Sequence, residues 1–228
     1  MPSNLAFLIS GTDTGVGKTT VACGLAAGFR ELGLRVGVMK PAETGCEWRE
    51  GGLVPLDAIA LRTAAMAGDP LDLICPYRYA TPLAPAVAAE IEGCAAPALT
   101  RIRRCHEQLF AGYDLMLVEG AGGLAVPITW RENYADLALA LDLWLILVVN
   151  NRLGCLSGAV LSLDYAARRG VRIAGYILND AAREESPATR SNADSLLRLT
   201  TVRCLGWLRH GAAVPLDMCR AALSSTKQ

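Results

Sequence analysis

Five short stretches of this chain are apolar almost without a break: residues 5–10, 35–39, 115–118, 144–149 and 173–178. A strand with one wet face alternates apolar and polar side chains, whereas a continuous apolar run is the pattern of a strand covered on both faces. Between the runs lie helical patterns at 18–32, 56–67, 100–110, 134–141, 158–169 and 190–199. The first is the clearest: Val21, Ala22, Leu25, Ala26, Phe29 and Leu32 fall on one side, and Gly33 ends it. Alternation of buried strand and helix predicts an α/β fold, a mostly parallel central sheet with helices on both faces. A chain of 228 residues suits one such core and is short for two, and no repeat or linker interrupts it, so 1–228 reads as a single domain. The Pro/Ala-rich stretch 81–98 reads as a long excursion from that core.

The first strand and first helix are joined by Gly11-Thr12-Asp13-Thr14-Gly15-Val16-Gly17-Lys18-Thr19. A glycine loop between strand and helix turns successive backbone N–H groups into one concavity, and the helix N-terminus adds about half a positive charge. Phosphate is the ligand such a cradle suits. Thr14, Gly15, Val16, Gly17, Lys18, Thr19 and Thr20 are therefore candidate nucleotide contacts, with Lys18 on the terminal phosphates and the Thr19 hydroxyl on Mg²⁺. The usual pattern places its first glycine five residues before Gly17, where Thr12 stands; here it comes one place earlier, at Gly11. An ordinary glycine turn is the alternative, but it gives the Lys-Thr pair no packing role.

Ligands of a parallel sheet gather at the C-terminal ends of its strands. Lys40, Glu119, Asn150 with Asn151, and Asn179 with Asp180 all follow predicted strands at that edge. Asp114 precedes its strand and reads as a surface residue at the other end. Glu119 stands where a Walker-B carboxylate stands, and Gly120-Ala121-Gly122-Gly123 behind it lets backbone approach a ligand. With Thr19 it forms a candidate Mg²⁺ pair, since that ion takes one or two carboxylates plus phosphate and water. Asp57 is a third candidate; as an isolated acid at a helix start it reads equally as a partner of the helix dipole. Lys40, between a buried strand and Pro41, is not placed to extend freely into water. A cation there, beside Lys18, would neutralise charge on the far side of a transferring phosphoryl group; the alternative is a lysine that only snorkels. Neither His106 nor His210 adjoins a nucleophile motif, so a Ser-His or Cys-His mechanism has no starting point.

Composition removes other classes. Twenty-two basic and 22 acidic residues cancel, which argues against a nucleic-acid partner. Eight cysteines without a C-x-x-C pair, scattered one per element, read as buried small apolar residues of a reduced, cytoplasmic protein. The N-terminus has neither the basic start nor the cleavage site of a signal peptide. The longest apolar region, 137–149, is broken by Asp142 and is shorter than the roughly 20 residues that span a bilayer. It reads as a helix end followed by a buried strand, and no membrane partner is expected.

Taken together, the glycine loop, Lys40-Pro41-Ala42-Glu43-Thr44-Gly45-Cys46 and Val118-Glu119-Gly120-Ala121-Gly122-Gly123 resemble dethiobiotin synthetase. The likeness extends to Pro82-Leu83-Ala84-Pro85, to Leu153-Gly154-Cys155 and to Gly175 with Asn179, in order and over most of the chain. The resemblance implies a P-loop NTPase-like fold and a ligase with Mg²⁺ and ATP as co-substrate. The reaction implied is carboxylation of one amine of 7,8-diaminopelargonate by CO₂, phosphorylation of the carbamate, and ring closure by the second amine to dethiobiotin, ADP and phosphate. By position, Lys18 and Lys40 are then catalytic, and Thr44 contacts the diamine. Thr19, Asp57 and Glu119 hold the metal, with Gly120, Ala121 and Gly122 beside the nucleotide. Asn179, with Asp180, reads the adenine edge, and Leu208, Arg209 and His210 form the last adenine-contacting loop. The resemblance also implies a homodimer in which Leu153, Gly154, Cys155 and Ser157 of one subunit hold the substrate carboxylate of the other. Three departures touch substrate or base: Ser157-Gly158 for Asn-His, Ala86 for His, and Leu208-Arg209 where a Pro is expected. A Ser at 157 can still cap the next helix and donate to a carboxylate.

Two other classes share the glycine loop. Partitioning and septum-placement ATPases carry a second lysine four residues before the last glycine, where this chain has Asp13. The ATP-dependent domain of cobyrinate-type amidotransferases needs a glutaminase partner, for which this chain is too short to hold a domain of its own.

Overall fold

The five apolar runs become strands of one sheet in a computed structural model, which describes residues 5–227. Residues 1–4 and 228, on which the N-terminal reading and the ends of the 1–228 span fall, lie outside the described residues. The elements are β1 (Leu5–Gly11), α1 (Lys18–Glu31), β2 (Val36–Met39), β3 (Ala42–Thr44), β4 (Glu47–Arg49), β5 (Gly52–Val54), α2 (Leu56–Ala65), α3 (Leu71–Ile74), β6 (Tyr77–Tyr79) and α4 (Pro85–Ile91). There follow α5 (Leu99–Phe110), β7 (Leu115–Gly123), α6 (Tyr134–Ala140), β8 (Trp144–Asn150), α7 (Cys155–Arg168), β9 (Ile173–Asn179), α8 (Pro187–Leu199), β10 (Cys204–Leu208) and α9 (Leu216–Ser225). The main sheet has the order β10-β9-β8-β1-β7-β2, and every pair in it is parallel. Helices pack around it, α1 against α2 and α9, and α7 against α8.

Residues of β1, β7 and β8 from Phe7 to Ile9, Met116 to Val118 and Leu145 to Val149 are fully buried, as strands covered on both faces require. Phe7 and Phe29 stack with ring centroids 6.0 Å apart, docking α1 onto β1. The chain leaves β1 toward β2 on one side and crosses from β7 to β8 on the other. Gly11, Met39, Asn150, Asn179 and Leu208 end their strands at one common edge.

Several boundaries differ from the sequence reading. The third predicted strand does not stop at Val118 but runs through Glu119 to Gly123. Glu119 pairs with Ile9, and the register then slips, so that Gly11 faces Gly123. The slip pushes Gly120–Gly122 out of the ladder, a bulge that needs Gly122 at φ 63°. The helix expected from 158 begins at Cys155, after Gly154 at φ 89°. Ser157 is therefore inside the first turn and is not a cap. The stretch 81–98 contains helix α4, and β10, α3 and α9 were not anticipated. All eight cysteines are free, but Cys94 is exposed and Cys23 and Cys204 are half-buried, so the expectation of buried thiols holds for five.

Candidate active site

The loop after β1 holds its shape through residues on β8 and β9. Gly15 and Gly17 take left-handed φ of 71° and 88°, which favour glycine. A Cβ on Gly17 would collide with the Asn179 amide, and that amide donates from Nδ2 to the Val16 carbonyl at 2.8 Å. Thr12 N–H donates to Val148 O at 3.1 Å. Lys18 Nζ reaches back across the loop to Asp13 O at 3.1 Å, and Asp13 pairs with Arg152. Burial, then the neighbouring Lys40 charge, pushes the Lys18 ammonium down to about 8. An ammonium destabilised in this way gains from an anion brought beside it.

Lys40 lies at the C-terminal end of β2 and is only 3% exposed. Its Nζ bonds Asp57 Oδ2 at 2.8 Å and Glu119 Oε1 at 2.5 Å, and the same Oε1 accepts from Thr19 Oγ1 at 2.8 Å. Burial opposes the Lys40 charge, but the Glu119 and Asp57 carboxylates outweigh it and hold the ammonium protonated well above its usual range. Burial likewise works to raise Asp57, yet Lys40 keeps it below the ordinary carboxylate range. This lysine does not snorkel. Glu119 is 1% exposed and its second oxygen, Oε2, is buried with no hydrogen-bond partner. An orphaned carboxylate oxygen beside a hydroxyl and a second carboxylate is an all-oxygen donor set, the kind a hard dication takes. Among the described residues no group of three or more His, Cys, Asp or Glu converges.

These groups open on a cleft of about 650 Å³. Thr14, Gly15, Gly17, Lys18, Thr19 and Thr20 form one side, with Ala121 and Gly122 of the β7 bulge. Thr44, Pro82, Leu83 and Ala84 also line the cleft, as do Lys40, Asp57 and Glu119, and Val126 sits against Gly122. Val16 and Gly120 support the cleft from behind. Val16 is buried, and Gly120 covers Tyr134, whose Cδ1 would lie 3.1 Å from a Cβ on Gly120. Tyr134 is held at the start of α6 by the capping box of Asn133 and Asp136.

A second cleft, of about 710 Å³, holds Asp180, Trp207, Arg209 and His210. Asp180 accepts from Asn151 Nδ2 at 2.8 Å and Trp207 Nε1 at 2.9 Å, and the Arg209 guanidinium lies 3.4 Å from the Trp207 ring centre. Leu208 is buried in β10, and Asn179 is buried under the glycine loop with its Oδ1 in no hydrogen bond among the described residues. Leu153, Gly154, Cys155 and Ser157 line neither cleft; Leu153 is 81% exposed, Cys155 is buried and Ser157 is exposed. The sequence reading gave no role to Glu43, which lines the first cleft, or to Trp207, which lines the second. Its rule of one strand edge could have found Trp207 had β10 been recognised.

A parallel sheet with a glycine loop and a lysine-threonine pair at its ligand edge defines a P-loop NTPase fold. Solved structures of similar fold include the septum site-determining protein MinD complexed with Mg-ADP from Pyrococcus horikoshii, with TM-score 0.57 and 17% identity over 99% of this chain and 90% of that one. A plasmid partition protein from Borrelia burgdorferi gives TM-score 0.60 at 12% identity, over 99% and 98% of the two chains. At these identities the likeness concerns the fold alone. A family model described as an AAA domain matches residues 6–214. The ATP-dependent dethiobiotin synthetase BioD of Anaeromyxobacter dehalogenans is 45% identical over 192 residues, 84% of each chain. The proteins of the same description from Aromatoleum aromaticum and Thermodesulfovibrio yellowstonii are 41% and 39% identical, over 96% and 89% of this chain and 96% and 87% of theirs. The chain belongs to the ATP-dependent dethiobiotin synthetase family and is an enzyme of the ligase class. No helix among the described residues is long and apolar enough to cross a membrane.

Proposed function

We propose that this protein is a cytoplasmic synthetase, a single domain over its length, that joins CO₂ to the two amines of 7,8-diaminopelargonate at the expense of ATP. The observation that carries the reading is Lys40, buried between Asp57 and Glu119 in a cleft lined by the glycine loop and by Pro82, Leu83 and Ala84. The first amine attacks CO₂, forms a carbamate and loses a proton. A carbamate oxygen attacks the γ-phosphorus, and ADP leaves. The second amine attacks the carbonyl carbon of the resulting anhydride and gives up a proton, phosphate leaves with the C–O electrons, and the cyclic urea of dethiobiotin remains.

Lys18 and the loop N–H groups hold the phosphates. Lys40 supplies fixed positive charge between carbamate and γ-phosphate, where charge shifts in the transfer. Thr19, Asp57 and Glu119 are the residues to hold Mg²⁺, which would neutralise the terminal phosphate oxygens. Thr44 lines the same cleft as Lys40 and contacts the diamine in this reading, and Leu83 and Ala84 give its alkyl chain apolar surface. Asn179, with one Nδ2 hydrogen engaged at Val16, keeps its Oδ1 acceptor and a second N–H, a pair that suits the amino group and ring nitrogen of adenine. The second cleft is the base site in this reading, with Asp180, Arg209 and His210 around it. A homodimer completes the substrate site: the exposed Leu153, just before α7, and Leu161 on that helix are apolar surface for a second subunit.

The test is ADP release with ATP and Mg²⁺ alone, and again with diaminopelargonate and bicarbonate. A synthetase that guards its γ-phosphate turns over only with both added. Equal rates in the two mixtures would mean an ATPase switch instead.

A further inference from the structure

Helix α2 begins without a cap of its own. Pro55 occupies the N-cap position and has no side-chain acceptor, so the first N–H groups of the helix need a partner from elsewhere. That partner is Glu43 on β3. Its Oε1 accepts from Asp57 N–H and its Oε2 from Ala58 N–H, each at 2.9 Å. Glu43 is 5% exposed and has no lysine or arginine among its hydrogen-bond or ion-pair partners. A buried carboxylate without a bonded cation is costly, and here two peptide N–H groups and a helix end, with the Lys40 charge further off, offset the cost.

A serine or aspartate at position 55 would cap the helix locally. A remote carboxylate does something a local cap does not: it ties α2 to the segment that carries Lys40 and Thr44. The residue whose N–H is clamped, Asp57, is also the one whose carboxylate bonds Lys40 Nζ at 2.8 Å. A closed circuit results, running from Lys40 along the backbone to Glu43, across to the Asp57 peptide, and back through the Asp57 side chain. We propose that Glu43 is a positioning residue for the reaction, fixing where the Asp57 carboxylate stands between Lys40 and the metal. The proposal rests on the reading of Asp57 as a metal ligand.

The test compares Glu43→Gln, Asp57→Asn and the double variant. Two quantities are measured: nucleotide affinity by calorimetry, with Mg²⁺ and with chelator, and the Mg²⁺ concentration that half-saturates the protein–nucleotide complex. Glutamine keeps the size of Glu43 but places an N–H₂ against one peptide N–H. Each single variant is expected to raise the half-saturating Mg²⁺ concentration about tenfold, the low end for groups that orient metal ligands. Affinity in chelator should stay unchanged, because the glycine loop does not touch Glu43. The double variant should need no more Mg²⁺ than Asp57→Asn alone, because Glu43 acts through Asp57. An unchanged Mg²⁺ requirement in Glu43→Gln, beside a raised one in Asp57→Asn, overturns the inference and leaves the metal site standing. Full additivity in the double variant also overturns it. A silent Asp57→Asn overturns the metal reading and the inference together. Should Glu43→Gln fail to fold, Glu43→Asp, which keeps the charge and shortens the reach, is put through the same comparison with the same outcomes.

Discussion

Lys18 and Lys40 are both buried cations of one cleft, yet their surroundings divide the work between them. Lys18 bonds only a carbonyl, at 3.1 Å from Asp13 O, and waits for an anion. Lys40 is already paired twice. Lys18→Ala is therefore expected to weaken nucleotide binding and turnover together, because it removes a contact made in the ground state. Lys40→Ala should lower kcat by 100-fold or more, roughly the loss on deleting one preorganised charge, with little change in nucleotide affinity. Lys40→Arg should restore little, since a planar fork cannot replace a point charge between two carboxylates. Steady-state kinetics and calorimetry on the three variants check this, and near-normal kcat in Lys40→Ala would remove Lys40 from the mechanism. At this scale the sequence was legible where placement followed from the glycine loop or a strand end: Lys18 and Thr19 of the loop and Lys40 and Glu119 after their strands line one cleft. Asp57 was ambiguous because its partner Lys40 lies 17 residues away, and Glu43 was missed because the helix it caps starts 13 positions later. Pairings across that distance leave no periodicity to read.

Among the elements, five strands of the main sheet were legible, the edge strand β2 included, and the other edge strand, β10, was not. The runs in β1, β7 and β8 are apolar because both faces are covered. In β10 only Leu205 and Leu208 are buried, and Gly206 interrupts, so no continuous run marks this edge strand. Helix α4 hides in a Pro/Ala-rich stretch whose small side chains carry little contrast, and α3 is four residues long. His106, set aside as a catalyst, still leaves a mark on α5. It is buried, edge-on to Phe110, and its Nε2 has no partner. Burial pushes its pKa from 6.5 down to about 4. Between those values the unfolded chain binds a proton that the folded chain refuses, so stability falls as pH drops from 6.5 to 4. The loss is complete below pH 4 and is on the order of 3 kcal/mol for a shift of this size. His106→Leu should flatten the urea midpoint over that window. An unchanged acid slope in the variant would place the titrating group elsewhere.

On the scale of the molecule, the residues expected to hold the substrate carboxylate stand apart from the cleft they are meant to serve. Leu153 and Ser157 face outward at the start of α7. A shared site explains this, and it makes two expectations. The protein should run as a dimer in light scattering at micromolar concentration. Ser157→Asp should weaken diaminopelargonate binding roughly fivefold, as a charge near a helix end contributes about 1 kcal/mol, and leave ATP binding alone. An acid in the first turn favours the helix, so such a loss would not reflect unfolding. A monomer with full activity would refute the shared site.

The chain has three lysines, Lys18, Lys40 and Lys227, and meets its other needs for positive charge with arginine. Two of the three lysine amines that acylating reagents seek are thus in the cleft. They differ in nucleophilicity: Lys18 is held near 8 by burial, while Lys40 stays locked as an ammonium. At mildly alkaline pH, Lys18 should be the fast-labelling internal amine, and nucleotide should protect it. Peptide mapping by mass spectrometry would read the outcome directly. The scarcity of lysine makes the protein its own occupancy reporter, with no engineered tag.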